Sequence, residues 1–209
     1  MAASEMPLEA RALTGTGPER ELVASCRAGD PAAFARLVQR HEGMVYGLAA
    51  RLLGDAEEAR DVAQEVFLQV YRMLDRFEGR SSLKTWVYRI AVNQCHNRRR
   101  FWRRRRRDRE EALEEGLLAA RATGGRPERE PGPYEEALRR ERAERVQAAL
   151  LQLSFEHRSV LVLREVEGLT CEEVAAALGV PEGTVKSRLS RAREAMRVRL
   201  QGLVQGGAS

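Results

Sequence analysis

The residues best suited to chemistry in this sequence sit near its C-terminal end, and their chemistry is recognition rather than catalysis. Thr184, Lys186, Ser187, Ser190 and Arg191, followed by Arg193 and Arg197, recur at three- and four-residue steps. On a helix that spacing places them away from Val185 and Leu189, which fall on the opposite side. Arginine and lysine donate to guanine or phosphate, and serine and threonine bond to base edges or phosphate. The N-terminus of such a helix is itself a phosphate acceptor site. A second group lies near the middle of the chain, where residues 98–109 read RRRFWRRRRRDR. One reading of that block is a solvated charge run. The other is phosphate neutralisation, with Phe101 and Trp102 either stacking on unpaired bases or packing back on the preceding domain.

The elements that must position the first group are written just upstream of it. Thr170 followed by Glu173 is a capping box, so a helix begins there. Val174 and Leu178 form its apolar face, and Ala175 is small where a second helix crosses. Gly179 permits the left-handed turn between them. Pro181 suits the edge of the second helix, where an amide has no intrahelical acceptor. Together the stretch from Leu169 to about Arg197 predicts a helix-turn-helix. The plainer alternative is a pair of amphipathic helices with a solvated basic face.

Further toward the N-terminus, Asp61, Gln64 and Glu65 share one side of a predicted helix, opposite Val62, Val66 and Phe67. This acidic, amide-bearing stripe is either an ordinary solvated face or a docking surface for a basic helix. After it, Trp86, Val87 and Ile90 are spaced as a core face. Lys84, Arg89, Asn93, Asn97 and Arg98 stand elsewhere on that helix as polar candidates.

The whole chain reads as all-α: two small helical domains joined by a flexible linker, the second containing the helix-turn-helix. Of its 209 residues 32% are charged and only 5% aromatic, a balance that favours helices with thin cores over a β-sandwich or barrel. Residues 1–18 read as a disordered tail. Residues 19–107 form a four-helix unit, with Asp30 and Asp55 as N-caps, Pro31 at a first helical position and Gly54 as a break. Val62, Val66, Phe67, Val70, Tyr71 and Leu74 are expected on the buried face of its third helix. Residues 108–135 are a Gly/Pro-rich linker. Residues 136–203 form the second unit, with Val146, Leu150 and Val166 among its expected core residues, and a frayed tail follows from Gly202.

Several functions are disfavoured. Three scattered cysteines and three scattered histidines give no metal-ligand spacing, so no metal and no cofactor is expected. No HExxH, P-loop or Ser/His/Asp set is present, which argues against an enzyme and against a small-molecule substrate. No apolar run reaches membrane-span length, and the first residues lack the pattern of a signal peptide, so a cytoplasmic location is expected. The net charge of +5 is too modest to decide a partner by itself.

Three collinear segments resemble a known family. DVAQEVF, then FEGRSSLKTWVYRIAVNQCHNRRR, then LREVEGLTCEEVAAALGVPEGTVKSRLSRAREAM resemble the bacterial sigma factors of the extracytoplasmic-function group, over residues 20–107 and 136–200. The resemblance implies a promoter-specificity subunit that binds core RNA polymerase and opens promoter DNA. Asp61, Gln64 and Glu65 match positions that dock on the clamp helices of the largest polymerase subunits. Phe77 through Thr85, including Ser81, Ser82 and Lys84, match a loop that captures a flipped base of the non-template single strand at the minus-ten element. Arg89, Asn93 and Asn97 lie beside it on the following helix. Thr184, Lys186, Ser187, Ser190, Arg191 and Arg193 match the reader of the duplex minus-thirty-five element. The resemblance also implies an anti-sigma factor as a partner. The arginine block is longer than the family pattern. The competing expectation is a stand-alone helix-turn-helix regulator.

Overall fold

The computed structural model describes residues 17–110 and 133–205. The expected tail before residue 17 and most of the expected linker, residues 111–132, lie outside the described residues. The described residues form eight α-helices: α1 (Gly17–Arg27), α2 (Pro31–Leu53), α3 (Ala56–Met73), α4 (Leu83–Glu110), α5 (Pro133–Leu151), α6 (Phe155–Leu161), α7 (Cys171–Leu178) and α8 (Glu182–Gln205). A 3-10 turn follows α3 and a π-helical turn follows α6. Among the described residues there is no strand. α8 runs on to Gln205, past the fraying expected from Gly202.

Local sequence sets the N-terminal boundaries. The Asp30 carboxylate accepts from the Ala32 amide at 2.8 Å, with Pro31 opening α2. Gly54, at φ +80°, ends α2 in a left-handed turn and donates back to Ala50. Asp55 then caps α3 through the Glu57 and Glu58 amides.

α2 and α3 each bury one stripe, but α4 buries most of its surface from Leu83 to Cys95, leaving Lys84, Arg89 and Asn93 exposed. The reason is its position: α4 packs against α2 and α3 on one side and against α7 on another. Tyr88 shows what this means. It is 1% exposed, and its hydroxyl donates to Glu167 at 2.7 Å. Burial and that carboxylate together push its pKa far above the usual tyrosine value.

The two helical domains therefore share an interface. Gln147 on α5 donates to the carbonyls of Ala50, which also accepts from the Gly54 amide, and of Arg51, both in the last turn of α2. Arg158 on α6 does the same for Leu52 and also bonds the carbonyls of Leu150 and Leu153, at 2.8 and 3.1 Å. Burial lowers the Arg158 pKa to about 10, which leaves it charged at neutral pH. Leu151 lies so close to Gly54 that a Cβ there would meet its methyl groups at 2.5 Å.

Three expected core residues are on the surface. Tyr71 is 63% exposed, because the buried stripe of α3 comprises Ala59, Val62, Val66, Phe67 and Val70, and Tyr71 lies about 40° beyond Phe67 at its edge. Its ring instead meets Phe34 edge-on at 5.1 Å. Val146 and Val166 are exposed as well. On α5 it is Gln147, Ala149 and Leu150 that turn inward, and Val166 closes the π-helical turn, where the helical period changes.

Candidate nucleic-acid interface

The helix-turn-helix is assembled from short-range contacts. Both halves of the capping box are present: Glu173 N–H donates to the Thr170 hydroxyl at 3.1 Å, and Thr170 N–H to the Glu173 carboxylate at 2.8 Å. Gly179 takes φ +65° and donates to Ala175, ending α7. The Pro181 carbonyl accepts from the Thr184 and Val185 amides, which starts α8. Val185, Leu189, Ala192 and Met196 are buried and hold α8 against α6 and α7.

That packing presents Lys186, Ser187, Ser190, Arg191 and Arg193 to solvent, with Thr184 half-buried at the start of the row. Their states differ. Lys186 pairs with Glu182 at 2.8 Å, and that hydrogen bond raises its pKa. Ser187 donates to the Thr184 carbonyl, and Arg193 donates to Glu165 across the turn at 3.0 Å. Among the described residues, Ser190 and Arg191 have no side-chain partner. Arg164, Cys171, Lys186, Ser190 and Arg193 line one shallow hollow on this face.

The N-terminal site is built differently, from long-range contacts. The loop between α3 and α4 is pinned from α1. Glu19 accepts from the Leu83 amide at 3.0 Å, and Arg27 donates to the carbonyls of Leu74 and Phe77. Phe77 is 5% exposed and lies 5.2 Å from the Trp86 ring. Thr85 is also buried, joined to Ser82 by a 2.8 Å hydroxyl contact, while the Ser82 hydroxyl accepts from the Thr85 amide and so caps α4. Phe77 and Thr85 thus lie beneath the loop, Ser81 and Ser82 at its half-buried rim. Lys84, Arg89, Asn93 and Asn97 are exposed on α4. The Lys84 ammonium stands 5.7 Å over the Tyr88 ring.

Asp61, Gln64 and Glu65 are exposed together on α3. Arg98, grouped by sequence with the polar candidates of α4, reaches across to this stripe instead. It bonds Glu58 at 2.7 Å and Glu65 at 2.5 Å, with Asp61 at 3.9 Å. Burial disfavours its charge, but Glu65 and Glu58 outweigh that and raise its pKa. Sequence reading missed two neighbours on this face. Leu68, 58% exposed, and Tyr71 continue the line of Asp61, Gln64 and Glu65 by further helical turns. Tyr71 was expected in the core, and Leu68 was given no role. Glu19 and Arg27 were missed too, since their partners lie 47 to 64 residues away.

Burial pushes the Cys95 thiol up to about 12, so it stays protonated. Among the described residues no group of three or more His, Cys, Asp or Glu side chains could hold a metal ion.

Two family models match the chain, Sigma-70 region 2 over residues 37–109 and Sigma-70, region 4 over residues 143–196. The RNA polymerase sigma-H factor of Pseudomonas aeruginosa is 38% identical over 188 residues, covering 90% of this chain and 96% of that protein. The ECF RNA polymerase sigma factor SigW of Bacillus subtilis is 34% identical over 88% of this chain and 97% of its own. The chain belongs to the extracytoplasmic-function sigma factors. The sigma-E factor of Escherichia coli is 36% identical over 90% and 96%.

Solved structures agree on the fold of this sigma factor. The sigma factor RpoE in complex with the anti-sigma factor NepR from Bartonella quintana superposes with a TM-score of 0.64 at 25% identity, covering 80% of this chain and 96% of that one. CnrH in complex with the cytosolic domain of CnrY gives 0.60 at 26%, covering 88% and 97%. Sigma factors are non-enzymatic initiation subunits that bring core polymerase to promoters and promote strand opening. The promoter-specificity reading therefore holds over that of a stand-alone regulator.

Proposed function

We propose that this sigma factor divides its work between the two faces described above. α8 reads the duplex minus-thirty-five element through Thr184, Lys186, Ser187, Ser190, Arg191 and Arg193. The loop and first turns of α4 handle the minus-ten element. There Ser81, Ser82, Lys84, Arg89, Asn93 and Asn97 face the DNA, and Phe77 and Thr85 shape the surface from below. Asp61, Gln64 and Glu65 on α3 engage core polymerase. Residues 19–107 and 136–203 act as the two functional domains, with 108–135 as their linker. The chain has no catalysis of its own and works in the cytoplasm. Among the described residues no helix is long and apolar enough to cross a membrane.

The observation that carries this division is the exposure of Ser190 and Arg191 on one helix and of Arg89, Asn93 and Asn97 on another, in a chain whose two halves match regions 2 and 4. Two readers on one chain raise each other's effective concentration when both elements are correctly spaced. Extruding a base costs a few kcal/mol, so a braced loop that need not reorganise favours opening. The similarity to two sigma factors solved with anti-sigma partners supports an anti-sigma factor as a partner here.

The polymerase assignment is tested by Asp61→Arg. It reverses the charge of an exposed carboxylate and is expected to weaken holoenzyme assembly at least tenfold, as read by competition for core polymerase. Duplex binding by the helix-turn-helix should be unchanged. Assembly at the wild-type level would remove Asp61 from the interface.

A further inference from the structure

The arginine block at the end of α4 is not used by either reader as described so far. α4 leaves the core after Cys95, yet it remains a continuous helix to Glu110. Residues 98–107 contain eight arginines. Among the described side chains three have partners within the chain: Arg98 holds the acidic stripe of α3, Arg99 lies 5.6 Å over the Phe155 ring, and Arg105 lies 5.4 Å over the Phe101 ring. Arg100, Arg103, Arg104 and Arg105 are exposed, and among the described residues none of them pairs with an acid. Like charges one turn apart destabilise a helix by a few tenths of a kcal/mol per pair. The pairs Arg99/Arg103 and Arg100/Arg104 have that spacing. The effect is visible at Arg99, whose pKa is lowered by burial first and by Arg103 second.

The register of these arginines is informative. Arg89, Asn93, Asn97, Arg100 and Arg104 follow one another at steps of four, four, three and four. At 3.6 residues per turn they fall within about 80° of one another. All five are exposed. The line assigned above to the minus-ten element therefore runs on without a break into the arginine block. From Arg89 to Arg104 it spans about 22 Å at 1.5 Å per residue. That is about six base pairs of duplex at 3.4 Å each.

The aromatics lie off this line. Phe101 is turned away by about one residue step, the Arg105 guanidinium already covers its ring at 5.4 Å, and Trp102 meets it edge-on at 6.2 Å. A ring occupied in this way is poorly placed to receive an unpaired base. The line itself offers guanidinium groups without acidic partners, which complement phosphate.

We infer that Arg100 and Arg104 form a sequence-independent anchor on the phosphate backbone of the duplex immediately upstream of the minus-ten element. The inference rests on the assignment of α4 to that element. The anchor adds affinity and salt dependence without adding base preference. It also fixes the direction in which α4 lies along the DNA.

The test uses the full chain assembled with core polymerase and a promoter fragment, with equilibrium binding followed from 50 to 200 mM salt. The double variant R100Q/R104Q is expected to flatten the slope of log affinity against log salt by about 1.8, or about 0.9 for each duplex phosphate released. R100K/R104K should keep the wild-type slope, because the charge is kept. On a fragment whose duplex ends at the upstream edge of the minus-ten element, wild type and R100Q/R104Q should coincide. Circular dichroism of the variants should match the wild type, since both sites are exposed.

Equal slopes for wild type and R100Q/R104Q on the intact fragment would overturn the inference. So would a difference that persists on the truncated fragment, which would point to single-stranded DNA or to polymerase. A sequence-dependent loss of affinity in both double variants, with the wild-type slope kept, would overturn it in favour of base contact by guanidinium. A wild-type holoenzyme with no promoter preference would instead bring down the assignment of α4 beneath it, an outcome separate from coinciding slopes with preference intact.

Discussion

The two regions proposed to face DNA in this sigma factor are built on opposite plans. In the helix-turn-helix the candidate readers are all at the surface or at its edge, and among the described residues the side-chain contacts that hold them span no more than 28 residues, that of Arg193 with Glu165. Around the loop before α4 two of the candidate readers, Phe77 in the loop and Thr85 in the first turn of α4, are buried, and the loop is held by side chains from α1. The difference matches the two tasks. Reading a duplex needs a preformed rod with free polar groups on one face. Holding an unstacked base needs a surface that resists deformation, and here aromatic packing from below and hydrogen bonds from a distant helix supply the resistance.

The comparison is broken most severely at Trp86. Replacing it with alanine removes the support of Phe77 and opens a cavity at the centre of the N-terminal domain. Trp86→Ala should cost about 3–5 kcal/mol in stability by urea denaturation, with loss of minus-ten binding. A cost below about 1 kcal/mol would mean that the loop does not depend on that packing.

The next effect belongs to the other region. Arg191 is exposed without an intramolecular partner, so its removal should leave the fold intact. Arg191→Ala is expected to cost about 1–3 kcal/mol in binding if the side chain makes a bidentate base contact, and to change the preference among minus-thirty-five sequences. Holoenzyme binding to a panel of such sequences measures this. An equal loss on every member would reduce Arg191 to a phosphate contact.

The smallest effect is a difference in acid sensitivity. His41 is buried in α2, and burial first, with Arg40 and Lys84 adding to it, lowers its pKa. The folded state therefore binds its proton less readily than the unfolded chain does. The resulting stability is present above the unfolded value, about 6.5, and is lost as pH falls below it. His41→Gln should flatten stability against pH just below that value. An unchanged profile would show that His41 does not carry the dependence.

Sequence reading succeeded where determinants are local. Asp30, Asp55, Thr170 with Glu173, and Gly179 announce their helix ends within four residues, and the exposed polar face of α8 follows from its period. It failed where a residue's environment is set from far away. Nothing near Tyr88 in the sequence tells of Glu167, 79 residues on, and nothing near Leu52 tells of Arg158. Arg98 looked like a DNA-facing residue because its carboxylate partners sit on another helix. Tyr71 looked buried because its apolar character outweighed a helical angle. The acidic stripe itself was legible in Asp61, Gln64 and Glu65, but its apolar continuation through Leu68 and Tyr71 was not.

The most direct test of a bipartite promoter reader is transcription reconstituted from core polymerase, with start sites mapped. Adding this chain should create discrete start sites, and altering either promoter element alone should reduce them. If the chain alone bound its duplex tightly and specifically, and its addition to core polymerase created no new start site, the account would be wrong.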